Sequence, residues 1–235
     1  MEFDEVMQEL SRRGTTQTKQ TYMRHGAPEP LFGVRIGDLK PLQKQLKGRQ
    51  DVALALYATG NSDAMYLAGL VADGSKMTVR QLDQWAKSAS WHMIAGCSVP
   101  WVAAEHPQAC KVAMKWTKSR AELVAVAGWA TLSALVSVES DDALPIDDLH
   151  ALLSHVEERI HVAANRVRYA MNNYIICVGT YVLPLGAEAL EIARQVGKVS
   201  VDMGATDCKV PDAASYIIKS RRGQPVAAKR KTARC

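Results

Sequence analysis

The sequence predicts an all-α fold, an α-solenoid of stacked helix pairs that encloses a concave groove. Apolar residues recur at helical spacing along most of the chain, whereas the alternation typical of strands is nearly absent. The pattern gives about twelve helices of roughly 8–18 residues, joined by short loops. Comparable helices recur roughly every 40 residues, and no long apolar seam of a four-helix bundle is present.

The N-terminal helices are predicted from apolar stripes and from capping residues. The stripe of the first helix consists of Phe3, Val6, Met7 and Leu10. After a proline-rich loop, residues 36–46 and 51–58 are predicted as two further helices. Asn61 and Thr78 start the next two, because their short polar side chains satisfy free N–H groups at a helix N-terminus.

Proline marks the starts of several later helices. Its ring is tolerated in the first helical turn, where no internal hydrogen bond is lost. Pro107, Pro145, Pro184 and Pro211 all stand at such positions. The predicted later helices are 91–104, 107–116, 121–137, 146–158, 161–178, 184–196 and 211–221. Two segments do not follow this pattern. One is residues 198–201, which have the composition of an extended segment, and the other is the C-terminal tail.

We expect a cytoplasmic protein, located in the bacterial cytosol or nucleoid. The N-terminus has neither the basic nor the apolar region of a signal peptide, and no apolar run approaches the ~20 residues that a membrane helix needs. The five cysteines form no CxxC pair and have no histidine at ligand spacing, which is typical of reduced intracellular thiols. The sequence therefore predicts no membrane contact, no metal site and no cofactor.

The positive charge is concentrated at the C-terminus. The chain carries 29 basic and 24 acidic residues, a net charge of +5. The basic residues after position 218 are Lys219, Arg221, Arg222, Lys229, Arg230, Lys231 and Arg234, and no acid accompanies them. We therefore predict a helical domain over 1–218 and a disordered basic tail over 219–235. Such a tail serves either for solubility or for contacts with phosphates.

Three stretches of sequence resemble a known family. Residues 22–42 read Tyr-Met-Arg-His-Gly-Ala-Pro-Glu-Pro-Leu-Phe-Gly-Val-Arg-Ile-Gly-Asp-Leu-Lys-Pro-Leu, and they resemble the N-terminal part of the AlkD-type DNA alkylation-repair proteins. Residues 165–174 and 201–213 are similar to later segments of the same family, and the helix order matches as far as Ile218. The resemblance implies HEAT-like helical repeats, also called armadillo-like, and DNA bound in the concave groove.

The family's chemistry depends on groups that this chain replaces. The resemblance implies hydrolysis of the N-glycosidic bond of cationic alkylpurines, with an aromatic wall holding the base and a carboxylate stabilising the sugar. In this chain His92 stands where the wall tryptophan belongs, Gly96 replaces the carboxylate, and Asn173 replaces a later tryptophan. The resemblance therefore implies family membership, but the family's glycosylase reaction does not follow from it, and whether the chain is an enzyme stays open.

Three residues are weak candidates for a substitute catalytic group. His92 is a proton donor if its pKa lies near 7. Asp207 and Asp212 are carboxylates that approach from another direction, although capping and loop hydrogen bonds are the favoured explanation of both.

A polar helix face provides the candidate nucleic-acid contacts. Arginine and asparagine commonly bind phosphate and sugar oxygens. The candidates are Asn165, Arg166, Arg168, Asn172 and Asn173 on this face, Lys209 near it, and Trp91 and Trp129 for stacking on bases. The alternatives are internal hydrogen bonds between repeats for the polar residues and core packing for the tryptophans.

Two functions remain open at this stage. One is a DNA-binding protein of the alkylation-repair family, with double-stranded DNA as its partner. The other is a non-catalytic HEAT-like scaffold that holds a protein partner in its groove. Salt dependence distinguishes them, because contacts with phosphates make affinity fall steeply as salt rises.

Overall fold

The computed structural model describes residues 1–234, and within them it contains helices and no strand. The α-helices are α1 Phe3–Arg13, α2 Thr16–Arg24, α3 Ile36–Gln45, α4 Gln50–Ala58, α5 Ser62–Val71, α6 Val79–Ser88, α7 Val99–Ala103, α8 Ala109–Thr117, α9 Glu122–Val138, α10 Ile146–Arg159, α11 Asn165–Tyr181, α12 Gly186–Val196 and α13 Ala213–Arg221. The all-α prediction is confirmed. No helix of these residues is long and apolar enough to cross a membrane.

Two predicted elements differ in detail from the structure. The helix expected over 91–104 is divided into a π-helical turn, Ile94–Ser98, and the short α7. Residues 197–212, which include the predicted extended segment, contain no regular secondary structure and connect α12 to α13. This connection is named the crossing segment below, because it lies over α11.

The predicted helix caps are present. The Asn61 side chain accepts hydrogen bonds from the backbone N–H groups of Asp63 and Ala64, at 3.1 and 3.2 Å. Thr78 forms a reciprocal capping box, in which Gln81 N–H donates to the Thr78 hydroxyl and Thr78 N–H donates to the Gln81 side chain. These local bonds explain why α5 and α6 begin where they do.

The centre of the core is formed by α9 and α11. Helix α9 is buried on nearly all sides between α8, α7 and α11, while α12 and α13 cover the other side of α11. The Trp129 ring of α9 is 1% exposed and packs 5.3 Å from the Tyr174 ring of α11. The central helices are therefore fixed by packing on several faces.

A buried carboxylate fixes the loop between α2 and α3. The Asp63 side chain in the first turn of α5 accepts backbone N–H groups from Phe32 at 2.6 Å, Gly33 at 3.0 Å and Val34 at 2.8 Å. Gly33 has a positive φ of +81°, and a Cβ at this position would lie 2.4 Å from the backbone nitrogen of Lys19. Only glycine therefore fits here. The distinctive sequence of residues 22–42 therefore encodes an internal anchor.

The described part of the C-terminal tail lies against the helical body. Backbone N–H groups of Ala227 and Arg230 donate to carbonyls in the last turns of α11 and α9, Thr180 O and Ser137 O, both at 2.7 Å. The Lys229 ammonium lies 2.8 Å from Asp141. The last carbonyls of a helix need donors, and this polar segment supplies them.

The end of the tail continues this pattern. The Arg234 guanidinium pairs with Glu105 and also donates to the Gly69 and Ala72 carbonyls at the end of α5. Cys235, the last residue of the predicted tail, lies outside the described residues.

Substitution of Asp63 by alanine is expected to destabilise the fold by about 3–5 kcal/mol, since it leaves three largely buried N–H donors without an acceptor. The measurement is the free energy of unfolding from urea denaturation. Glu157→Ala, at an exposed position of α10, is the control and is expected to change this value by no more than ~0.5 kcal/mol. Equal effects of the two variants would show that Asp63 is not an anchor.

Candidate nucleic-acid interface

A cavity of about 460 Å³ lies between the π-helical turn, α9, α11 and the crossing segment. We call it the central cavity. Its polar lining consists of His25, His92, Arg166, Tyr169, Asn173 and Lys209. The sequence analysis selected Arg166, Asn173 and Lys209 as nucleic-acid contacts, and the fold brings these three to one site.

The N-terminal part of α11 holds the crossing segment in place. Asn165 donates from Nδ2 to the Asp202 carbonyl at 2.8 Å, and its Oδ1 accepts the Asp202 N–H at 2.7 Å. About two turns of helix further, Asn172 Nδ2 donates to the Pro211 carbonyl at 3.0 Å. The Arg168 guanidinium donates to Asn165 Oδ1 at 3.2 Å and so supports the first contact.

These bonds correct part of the predicted nucleic-acid face. Asn165, Arg168 and Asn172 are engaged inside the chain, and Asn172 is only 1% exposed. Internal bonding, which the sequence left open as the alternative, is the role that their geometry supports. Arg166 and Asn173 remain on the cavity wall, where Arg166 also contacts the Met203 sulfur at 3.6 Å.

The two tryptophans selected for base stacking are core residues. Trp91 is 6% exposed, with its ring centroid 5.9 Å from Tyr22 and 5.2 Å from His92. Trp129 lies in the core between α9 and α11, as described above. Rings with so little exposed surface have no free face for a base, so this prediction is corrected.

His92 lies on the cavity wall as a neutral imidazole. Desolvation lowers the pKa of His92 to about 4, and the nearby positive charges of Arg166 and His25 act in the same direction. A histidine with this pKa is uncharged at pH 7. The role of His92 as a proton donor near pH 7 is therefore not supported in the unliganded protein.

The two candidate carboxylates lie outside the central cavity. Asp212 caps α13 by accepting the Ser215 N–H at 2.8 Å, and hydrogen bonds from Ser215 lower the pKa of its carboxyl. Asp207 is exposed on the crossing segment and does not line the cavity. Capping, the alternative given above, describes Asp212.

Gly96 opens the cavity at the position that the family resemblance assigns to a carboxylate. A Cβ added to Gly96 would meet only Val126 Cγ1, at 3.9 Å, so a side chain there would have room. Among the described residues that line the cavity, none is acidic. Within residues 1–234, no group of three or more His, Cys, Asp or Glu side chains is arranged to hold a metal ion.

Several cavity residues were not predicted from the sequence. Among them, His25 follows α2 and Met203 belongs to the crossing segment, far from α11 along the chain, and neither stands in a recognisable spacing. Cys97 is also half-buried and lines the cavity. The only signal for Met203 was the family-like segment 201–213, which indicated similarity without showing its position.

The stacked helices, with a basic cavity among them, are those of a HEAT-like helical-repeat protein. The family of DNA alkylation repair enzymes matches residues 4–203, so the chain belongs to that family.

Relatives and a solved structure agree with this assignment. The chain is 35% identical to the Listeria innocua protein Lin0241 and 34% identical to the Listeria monocytogenes protein Lmo0209. Both matches extend over 225 residues, covering 93% of this chain and 97% of each relative. A solved structure with 37% identity, full coverage of both chains and a TM-score of 0.91 is described as "a new family of proteins related to the HEAT-like repeat DNA glycosylases with affinity for branched DNA structures".

Asn172→Ala is expected to lower the free energy of unfolding by about 1–3 kcal/mol, because the change removes a buried hydrogen bond to the crossing segment. Asn173→Ala is the matched control on the same helix. Its side chain is exposed, and a change within ~0.5 kcal/mol is expected. Urea denaturation of both variants measures the difference, and similar values would show that Asn172 does not fix the segment.

Proposed function

We propose that this protein binds DNA in its groove, prefers branched or locally unpaired DNA, and does not release alkylated bases. The observation that carries the proposal is the central cavity, where basic side chains converge without a carboxylate. Family membership supports DNA as the partner. The affinity for branched DNA described for the structural neighbour supports the preference, since the two chains align over their full lengths.

The cavity's basic groups are available for phosphates. Neither Arg166 nor Lys209 forms an ion pair with an acid of residues 1–234, whereas many surface basic residues, such as Arg49 and Lys115, do. An arginine without a carboxylate partner retains its capacity for charge-assisted hydrogen bonds to phosphate oxygens. A DNA-binding role also fits the predicted bacterial cytosol or nucleoid as the location.

The same cavity argues against the family's glycosylase reaction. Departure of an alkylpurine leaves positive charge on the sugar, and stabilising that charge requires a negative group. Gly96 provides no negative group. The basic lining would repel both the cationic base and the positive charge that develops on the sugar. The alternative of a protein-binding scaffold has no comparable support in the groove.

The first test is binding to a four-way junction and to a linear duplex of equal length, across a series of salt concentrations. We expect tighter binding to the junction and a steep salt dependence. Arg166→Gln and Lys209→Gln should each lower the slope of log affinity against log salt by ~1. Arg194→Gln, an exposed α12 residue outside the cavity and paired with Glu191, is the control and should leave the slope unchanged. Weak, salt-insensitive binding would favour the protein scaffold.

The second test is base release from methylated duplex DNA, measured by chromatography of the freed purines. We expect no release above the uncatalysed rate. A missing electrostatic group of this type is commonly worth ~3–4 kcal/mol, or about 100- to 1000-fold in rate. Robust release of N3- or N7-methylpurines would disprove this part of the proposal, and Asp207→Asn and Asp212→Asn would then show which carboxylate acts.

A further inference from the structure

The wall of the central cavity contains two chemically distinct sets of side chains. His25, His92, Arg166 and Lys209 supply nitrogen donors. Burial lowers the pKa of His92, and the positive charge of Arg166 acts in the same direction. Met93, Val126, Ala130 and Ala170 are among the apolar residues of the same lining. A ligand that fills the cavity must therefore combine an anionic group with an apolar or aromatic body.

The size of the cavity suits a single small molecule. Its volume of about 460 Å³ falls within the ~300–1,000 Å³ typical of small-molecule sites. A base within a duplex must be unpaired and unstacked, at a cost in free energy, before it can enter such a space. A nucleotide without a pairing partner meets no such obstacle.

Gly96 determines the sign of charge that the cavity accepts. A carboxylate at this position would attract a cationic base and repel a phosphate. Glycine instead leaves both open volume and an uncompensated positive lining. Glu122, whose carboxylate accepts the Arg166 backbone N–H at 2.6 Å, does not line the cavity.

We propose that the central cavity is a binding site for one unpaired nucleotide, with the phosphate at Arg166 and Lys209 and the base against Tyr169 and the apolar wall. Arginine and lysine bind phosphate oxygens by charge-assisted hydrogen bonds. Aromatic rings bind any base through its face, so the site is tolerant of sequence. This inference rests on the proposed DNA-binding function and names the unit of DNA that the cavity takes.

His92 provides a spectroscopic signature of the bound phosphate. In the unliganded protein, burial and its cationic neighbours keep the imidazole neutral. A phosphate among these groups offsets the positive charge of Arg166 and favours the imidazolium of His92. Occupation of the site should therefore raise the pKa of His92, which is followed by NMR titration of the imidazole carbon-bound protons.

The first experiment titrates the full-length protein with dAMP, deoxyadenosine and inorganic phosphate by calorimetry and NMR. We expect dAMP to bind at least about tenfold more tightly than either fragment, with a rise in the pKa of His92. Equal affinity for dAMP and deoxyadenosine, or binding without a change in His92, would overturn the proposal.

A pair of substitutions at Gly96 isolates the role of charge. Gly96→Asp and Gly96→Asn add side chains of nearly equal volume, and only the first adds a negative charge. We expect Gly96→Asp to weaken dAMP binding about tenfold more than Gly96→Asn does. Circular dichroism spectra and melting curves establish that both variants fold. Equal loss in the two folded variants would contradict an anion site at this position.

The second experiment distinguishes the binding of a free nucleotide from the binding of an unpaired nucleotide within DNA. It compares a duplex containing one extra unpaired nucleotide with the same duplex fully paired. Tighter binding of the first, competed by dAMP, supports the site within DNA. Binding of dAMP without any junction binding would remove the proposed DNA function and leave a free-nucleotide site. Junction binding that dAMP does not affect would overturn the nucleotide site and leave the DNA function standing.

Discussion

The pairing of α11 with the crossing segment is the constraint on which the central cavity depends. Asn165 and Asn172 bind backbone groups of Asp202 and Pro211, and these bonds place residues 203–209 opposite α9 and the π-helical turn. The crossing segment has no regular secondary structure of its own. Without side-chain partners from α11, its backbone groups near the helix would lack hydrogen bonds, so this pairing fixes the positions of Met203 and Lys209.

The charge of the cavity depends on the lack of a side chain at Gly96 as much as on the basic side chains of its wall. The fold keeps a basic wall, and Gly96 leaves it without the carboxylate that the family resemblance implies. In a partly desolvated site an uncompensated charge acts more strongly than it does in water. Under the proposed function, this charge favours anionic nucleotide phosphates over the cationic bases of the family's glycosylase reaction.

The ends of the solenoid show how polar sequence becomes ordered structure. The loop before α3 is fixed by one buried carboxylate, Asp63, and the tail after α13 is fixed by the free carbonyls at the ends of α9 and α11. Neither segment has an apolar periodicity of its own. In both cases an unsatisfied backbone group is matched by a partner far away in sequence, which ties the repeats together.

The sequence by itself determined the helices, their caps and the family. Apolar periodicity, Asn61, Thr78 and the motif of residues 22–42 act locally, so they are visible along the chain. Arg166, Asn173 and Lys209, which the sequence predicts as nucleic-acid contacts, line the central cavity. Only the tertiary structure decided which polar residues remain available, because one helix face contains both Asn172, bonded to Pro211, and exposed Asn173. Hydrogen-bond partners some 40 residues apart, and the burial of tryptophan rings, depend on packing between repeats, which no local pattern records.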